Sequence, residues 1–105
     1  MTMAHRFIVI NGEIINGAVE AHRDLIKGSN KPEQCVGGGH VHFDHATQTA
    51  IFFGGSVEFG AISEKTFREA FEDSWLKERL DGWYIVFSEK ETLADAILEF
   101  ETRNS

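Results

Sequence analysis

Six of the chain's ten glycines fall between residues 37 and 60, in two short stretches. The first is Cys35-Val36-Gly37-Gly38-Gly39, the second Gly54-Gly55-Ser56-Val57-Glu58-Phe59-Gly60, and a hairpin-sized length of strand-like sequence separates them. Glycine loses more conformational freedom on folding than any other residue, so such a concentration needs a structural return. Either another chain segment or an anion held on exposed N–H groups must come close to the backbone. Ser56 adds a hydroxyl to the second stretch. An oxyanion or phosphate site is therefore the leading expectation.

At 105 residues the chain has the length of one domain. Its formal charge of −7 is unevenly spread: residues 1–57 carry five acids against four bases, residues 58–105 twelve against six. No basic stripe is available to neutralise phosphodiester backbones, which argues against nucleic acid as a partner. No apolar run nears the ~20 residues of a membrane-spanning helix, and the N-terminal residues lack a signal-peptide core. One cysteine excludes an internal disulfide framework and fits a reducing, cytoplasmic setting.

Periodicity gives the order ββαββαβα. Arg6-Phe7-Ile8-Val9-Ile10 reads as a buried strand, Asn11-Gly12 as a hairpin turn, and Glu13-Ile14-Ile15-Asn16 as the returning strand. From Gly17 the period changes: Ala18, Val19, His22, Leu25 and Ile26 share one helical face, and Gly28-Ser29-Asn30-Lys31-Pro32 ends the helix. Residues 34–44 read as a strand interrupted by the three glycines, with Thr49–Phe53 as its antiparallel neighbour. Ser63 is placed to cap a long helix with Phe67, Ala70, Phe71, Ser74 and Trp75 inward, broken at Asp81-Gly82. Trp83–Phe87 is a further strand. Ser88 with Glu91 reads as the capping box of a last helix, about 89–101, with Leu93, Ala96, Ile97 and Phe100 as its apolar stripe. The expected fold is a single α/β domain, a mixed β-sheet with helices packed on its faces.

Several residues carry side chains able to do chemistry. His22, in the middle of an apolar stripe, is either a satisfied core histidine or a base or nucleophile facing a phosphoryl group, since imidazole titrates near neutral pH. Ser56 does not fit the G-x-S-x-G nucleophile elbow and is better read as a turn residue or a hydrogen-bond donor to phosphate. Cys35 has no arginine at the C-x5-R spacing of a phosphatase loop and reads as a small buried residue. His40-Val41-His42-Phe43-Asp44-His45 spells H-x-H-x-D-H, a pattern that in longer metallohydrolases ligates zinc. On a strand, however, His40, His42 and Asp44 share one face and His45 takes the other, and no histidine follows residue 45 to complete a set. No metal is therefore expected. The helical acids Glu64, Glu69, Glu72 and Asp73 read as a solvated face.

With these residues in hand, the chain resembles the phosphohistidine phosphatase (Janus/Ocnus) family. That family is marked by Cys-x-Gly-Gly-Gly, a hairpin, and Gly-x-Ser-x-x-aromatic-Gly, matched here by the two glycine stretches. Glu20-Ala21-His22-Arg23-Asp24-Leu25 is similar to the segment around its catalytic histidine, and Arg6 opens the strand that in the family opens with a phosphate-binding lysine. The likeness covers roughly residues 5–72 and the strand at 83–87; the last helix is an addition.

What the resemblance implies is a phosphohistidine-phosphatase-like fold over residues 1–105, with His22 as catalytic base or nucleophile. It implies phosphate binding by Arg6, Ser56 and the backbone of Val57 and Glu58. Gly37, Gly38, Gly39, His40, Gly54, Gly55 and Gly60 would support the site. No cofactor is implied. The substrate would be a phosphorylated protein or a small phosphoramidate, and a homo-oligomer stays open. Three departures stand out. His40 replaces an arginine after the glycines, no base lies between Ile14 and Val19, and Glu58 replaces a small residue beside the phosphate loop. A carboxylate at position 58 repels an anion unless it turns outward or pairs with a cation such as Arg6. Two other classes of function stay open at this point: a non-catalytic anion- or partner-binding module of the same fold, and a zinc-binding protein using His40, His42, Asp44 and His45.

Overall fold

The computed structural model describes residues 5–28 and 30–103. Five strands, His5–Ile10 (β1), Glu13–Ala18 (β2), Cys35–Asp44 (β3), Thr49–Phe53 (β4) and Tyr84–Phe87 (β5), form one sheet in the order β2-β1-β3-β4-β5. All neighbours are antiparallel except β4 and β5, which run parallel, so the sheet is mixed as the element order suggests. The β1–β2 hairpin closes on Asn11 and Gly12, both at positive φ, as a two-residue turn of this hand requires.

Alternation along the strands gives the sheet two different faces. Phe7, Val9, Ile14, Val41, Ala50, Phe52 and Phe87 point to one, where they meet the helices Glu64–Glu72 (α1) and Trp75–Arg79 (α2) through Phe67, Ala70, Phe71, Leu76 and Leu80. On the other face the apolar cover is split. Ile8 and Ile10 pack under Leu25 at one end, while Ile51 and Val86 pack under the helix Leu93–Arg103 (α3) at the other. The C-terminal helix thus covers the β4–β5 half of the sheet with the stripe read from its spacing: Leu93, Ala96, Ile97 and Phe100.

Four expectations need correction. The segment from Gly17 is not an amphipathic helix. β2 continues to Ala18, with Gly17 opposite Arg6, and only a single 3-10 turn, His22–Leu25, follows. A segment this short gains little from helical hydrogen bonds, and pairing with β1 takes its first two residues. Ser29 of the expected helix end lies outside the described residues. The three glycines do not interrupt β3; the irregularity is a bulge at Val36, between the pairs Val9–Gly37 and Ile10–Cys35.

The long helix after Ser63 is two. Ser63 does accept the Thr66 N–H, but the chain breaks at Ser74, whose Oγ accepts the Leu76 N–H and donates to the Ile14 carbonyl. That break turns Trp75 outward, 68% exposed, instead of into the core. The last helix is capped by Thr92, whose Oγ accepts the Asp95 N–H. Ser88 is buried and accepts the Lys90 N–H.

The Cα radius of gyration is 13.1 Å, close to the ~13 Å of one compact domain of this length. No helix among the described residues is long and apolar enough to cross a membrane.

Candidate functional site

The split in apolar cover leaves a strip of the second face open between the Leu25 cluster and α3, and polar side chains fill it. Arg6 has the same strand parity as Ile8 and Ile10, and its register partner on β3 is His40. Its Nε donates to the Val19 carbonyl at 3.0 Å, which fixes the guanidinium where β2 ends.

His22 reaches the same strip from the 3-10 turn. Its ring is buried, its Nε2 lies 2.8 Å from the Gly39 carbonyl oxygen, and its centroid is 5.5 Å from that of His40. A carbonyl only accepts, so Nε2 carries the proton and Nδ1 keeps its lone pair in the neutral ring. Burial pushes the His22 pKa below the ordinary histidine value, and the Arg6 charge adds to this. The bond to Gly39 and the Glu58 carboxylate oppose it without reversing it. His40 is also held below the usual range, by burial, Arg6 and His22. Two neutral imidazoles therefore face an arginine.

The first glycine stretch serves chain packing. A Cβ on Gly38 would lie 2.3 Å from the Phe7 carbonyl oxygen, and 3.3 Å from the His22 ring; one on Gly39 would lie 2.6 Å from the Phe53 oxygen. Only bare backbone lets β3 lie between β1 and β4 with an imidazole resting on it. Gly37 has the same duty toward Ile62.

The second stretch makes the loop. Beyond β4, Gly54 N–H donates to the Lys90 carbonyl and Gly55 packs on Ala61. Ser56 and Gly60 then exchange both backbone hydrogen bonds, at 3.1 and 2.8 Å, and the Gly60 carbonyl accepts from Gly38 N–H. That last bond ties the loop to the stretch of β3 under His22. Ser56 is buried and its Oγ accepts the Phe59 N–H at 3.0 Å. Among the described residues, the N–H groups of Val57 and Glu58 have no protein acceptor. Successive free N–H groups in a tight turn make a concavity suited to an anion.

Glu58 finds a cation, though not Arg6. Its Oε2 lies 2.6 Å from Arg23 Nη2 and its Oε1 accepts from Arg23 Nε at 3.2 Å. Arg23 is thus the partner of Glu58 that sequence reading missed. Its place directly after His22 was the available signal, but the contact spans 35 residues and no local pattern encodes it. Cys35 is half-buried with its thiol donating to Gly37 O, and burial raises its pKa.

His40, His42 and Asp44 alternate along β3, opposite Phe53, Ile51 and Thr49 of β4, and His45 lies just past the strand end. His40 sits in the strip against Phe53, and Asp44 Oδ1 accepts the N–H groups of Ala46 and Thr47. His45 lies edge-on to Trp83. Among the described residues no three His, Cys, Asp or Glu side chains converge on a point that could hold a metal ion.

The chain matches no protein-family model, no curated protein and no solved structure.

Proposed function

We propose that this protein is a phosphatase of the phosphohistidine phosphatase type, acting on a phosphoramidate bond without a metal. The observation that carries the reading is the His22 ring. Its Nε2 is committed to the Gly39 carbonyl, and its pKa is held low beside a loop with two free amides. A base that is neutral at physiological pH and keeps its Nδ1 lone pair, on a strand tied to a loop with free amides, suits attack on phosphorus.

In this reading the Val57 and Glu58 amides and the Ser56 hydroxyl hold the phosphoryl oxygens, and Arg6 offsets their charge. His22 Nδ1 takes a proton from water as the water oxygen bonds to phosphorus. The P–N bond breaks with its electron pair leaving on nitrogen, which is then protonated, and inorganic phosphate and the free amine or imidazole are released. The same lone pair can instead attack phosphorus and pass the group to water in a second step. In the free protein the Arg23 ion pair matches the Glu58 charge, so the approaching anion does not meet a bare carboxylate.

The test is phosphate release from a phosphohistidine peptide in the presence of EDTA. Wild-type protein is expected to turn over, and His22→Ala to lose at least ~10³-fold in kcat/KM while remaining folded. Binding of phosphate without turnover assigns the protein as an anion-binding module instead. Loss of activity on chelation, restored by zinc, returns the histidine run to consideration.

A further inference from the structure

Within the site the cations do not balance a phosphoryl dianion. His22 and His40 are held toward the neutral form, and Arg23 is tied to Glu58, which among the described residues leaves Arg6 as the one cation there without a carboxylate partner. Arg6 itself spends its Nε on the Val19 carbonyl. Arg23 reaches the cradle through its grip on Glu58, which contributes one of the two free amides, and it directly follows His22 in the chain. Their side chains are 61% and 40% exposed, and ion pairs in that setting are weak because water competes for both groups.

We infer that Arg23 is a phosphate-binding residue that exchanges partners: it holds Glu58 in the free protein and turns its guanidinium to the phosphoryl oxygens when substrate enters. The fork that grips a carboxylate through two N–H groups fits a phosphoryl group equally well, and the dianion carries the larger charge. Glu58, released, is at the surface and is rehydrated. This inference rests on the reading of the 56–60 loop as a phosphate cradle. It supplies the second cation that the stretch from Ile14 to Val19 lacks.

The experiment is titration of inorganic phosphate at low ionic strength and neutral pH into four proteins: wild type, Arg23→Gln, Glu58→Gln and the double variant. Both side chains are exposed, so thermal melts should stay within a few degrees of wild type. Arg23→Lys, which keeps the charge and loses the fork, is a further variant and should bind with intermediate affinity. Glu58→Gln is expected to tighten phosphate binding several-fold, and Arg23→Gln to weaken it about tenfold. The double variant should bind about tenfold more weakly than Glu58→Gln alone. If the double variant binds as tightly as Glu58→Gln, Arg23 only neutralises the carboxylate and the exchange is wrong. If wild type and Glu58→Gln both fail to bind at millimolar phosphate, the cradle reading falls and the exchange with it, a result distinct from the previous one.

Discussion

The proposed chemistry is concentrated in the His22 ring, and the direction of its pKa shift has testable consequences. Its value and that of His40 are depressed relative to the unfolded chain, where histidine titrates near 6.5. Below that pH the unfolded state takes up protons that the folded state refuses, so both residues weaken folding as acid is added. Their contribution is fully present above about pH 6.5 and is lost as pH falls through the folded values. Urea unfolding at pH 7.5 and 5.5 should show the decline, and His40→Phe should reduce it. In the proposed mechanism, activity follows the same ring. The acid limb of kcat/KM should fall below about pH 6.5, and Arg6→Gln should move it upward by removing a charge that adds to burial in keeping the ring neutral. A limb at or above the ordinary value, unmoved by Arg6→Gln, would contradict the assignment. Gly38 tests the packing beneath the ring. Gly38→Ala sets a methyl group against the Phe7 carbonyl and should cost about 3 kcal/mol or more in denaturant unfolding.

Among the elements, those with strong periodicity or turn chemistry were legible in the sequence. The Asn11-Gly12 hairpin, β4, and the stripe of α3 stand as the residue patterns indicate. The failures share a cause, which is tertiary pairing overriding local preference. Val19, His22, Leu25 and Ile26 repeat at helical spacing because all of them approach the β1 face of the sheet, yet Gly17 and Ala18 are taken by β1. Ser74 reads as one more residue of an amphipathic helix until the Ile14 carbonyl, 60 residues away, accepts its hydroxyl proton. Ser74→Ala should therefore cost about 1–2 kcal/mol, since one substitution removes both a cap and a buried hydrogen bond. Thr92→Ala should cost about 1 kcal/mol through fraying of α3. Hydrogen exchange at the amides of residues 93–96 checks this directly: faster exchange in Thr92→Ala and none in a Glu91→Ala control supports Thr92 as the cap.

At the scale of the whole molecule, the site exists because one face of the sheet is covered twice and incompletely. The 3-10 turn shields one end and α3 the other, and the uncovered strip between them carries Arg6, His22 and His40. The glycine stretches announced a close approach of backbone in the sequence, and the structure divides that role: one stretch packs strands, the other leaves amides free. Which stretch does which was not legible, because a strand glycine and a loop glycine look alike until their neighbours are known. The central claim joins these two parts, a lone pair on His22 Nδ1 and an anion cradle at Val57 and Glu58. Nitrogen-15 NMR of the labelled protein, recorded through a titration with inorganic phosphate at pH 7, measures both at once. The account predicts a neutral His22 protonated on Nε2, whose Nδ1 signal moves with saturable shifts of the Val57 and Glu58 amides. A His22 ring protonated on Nδ1, with those two amides unmoved at tens of millimolar phosphate, would contradict it.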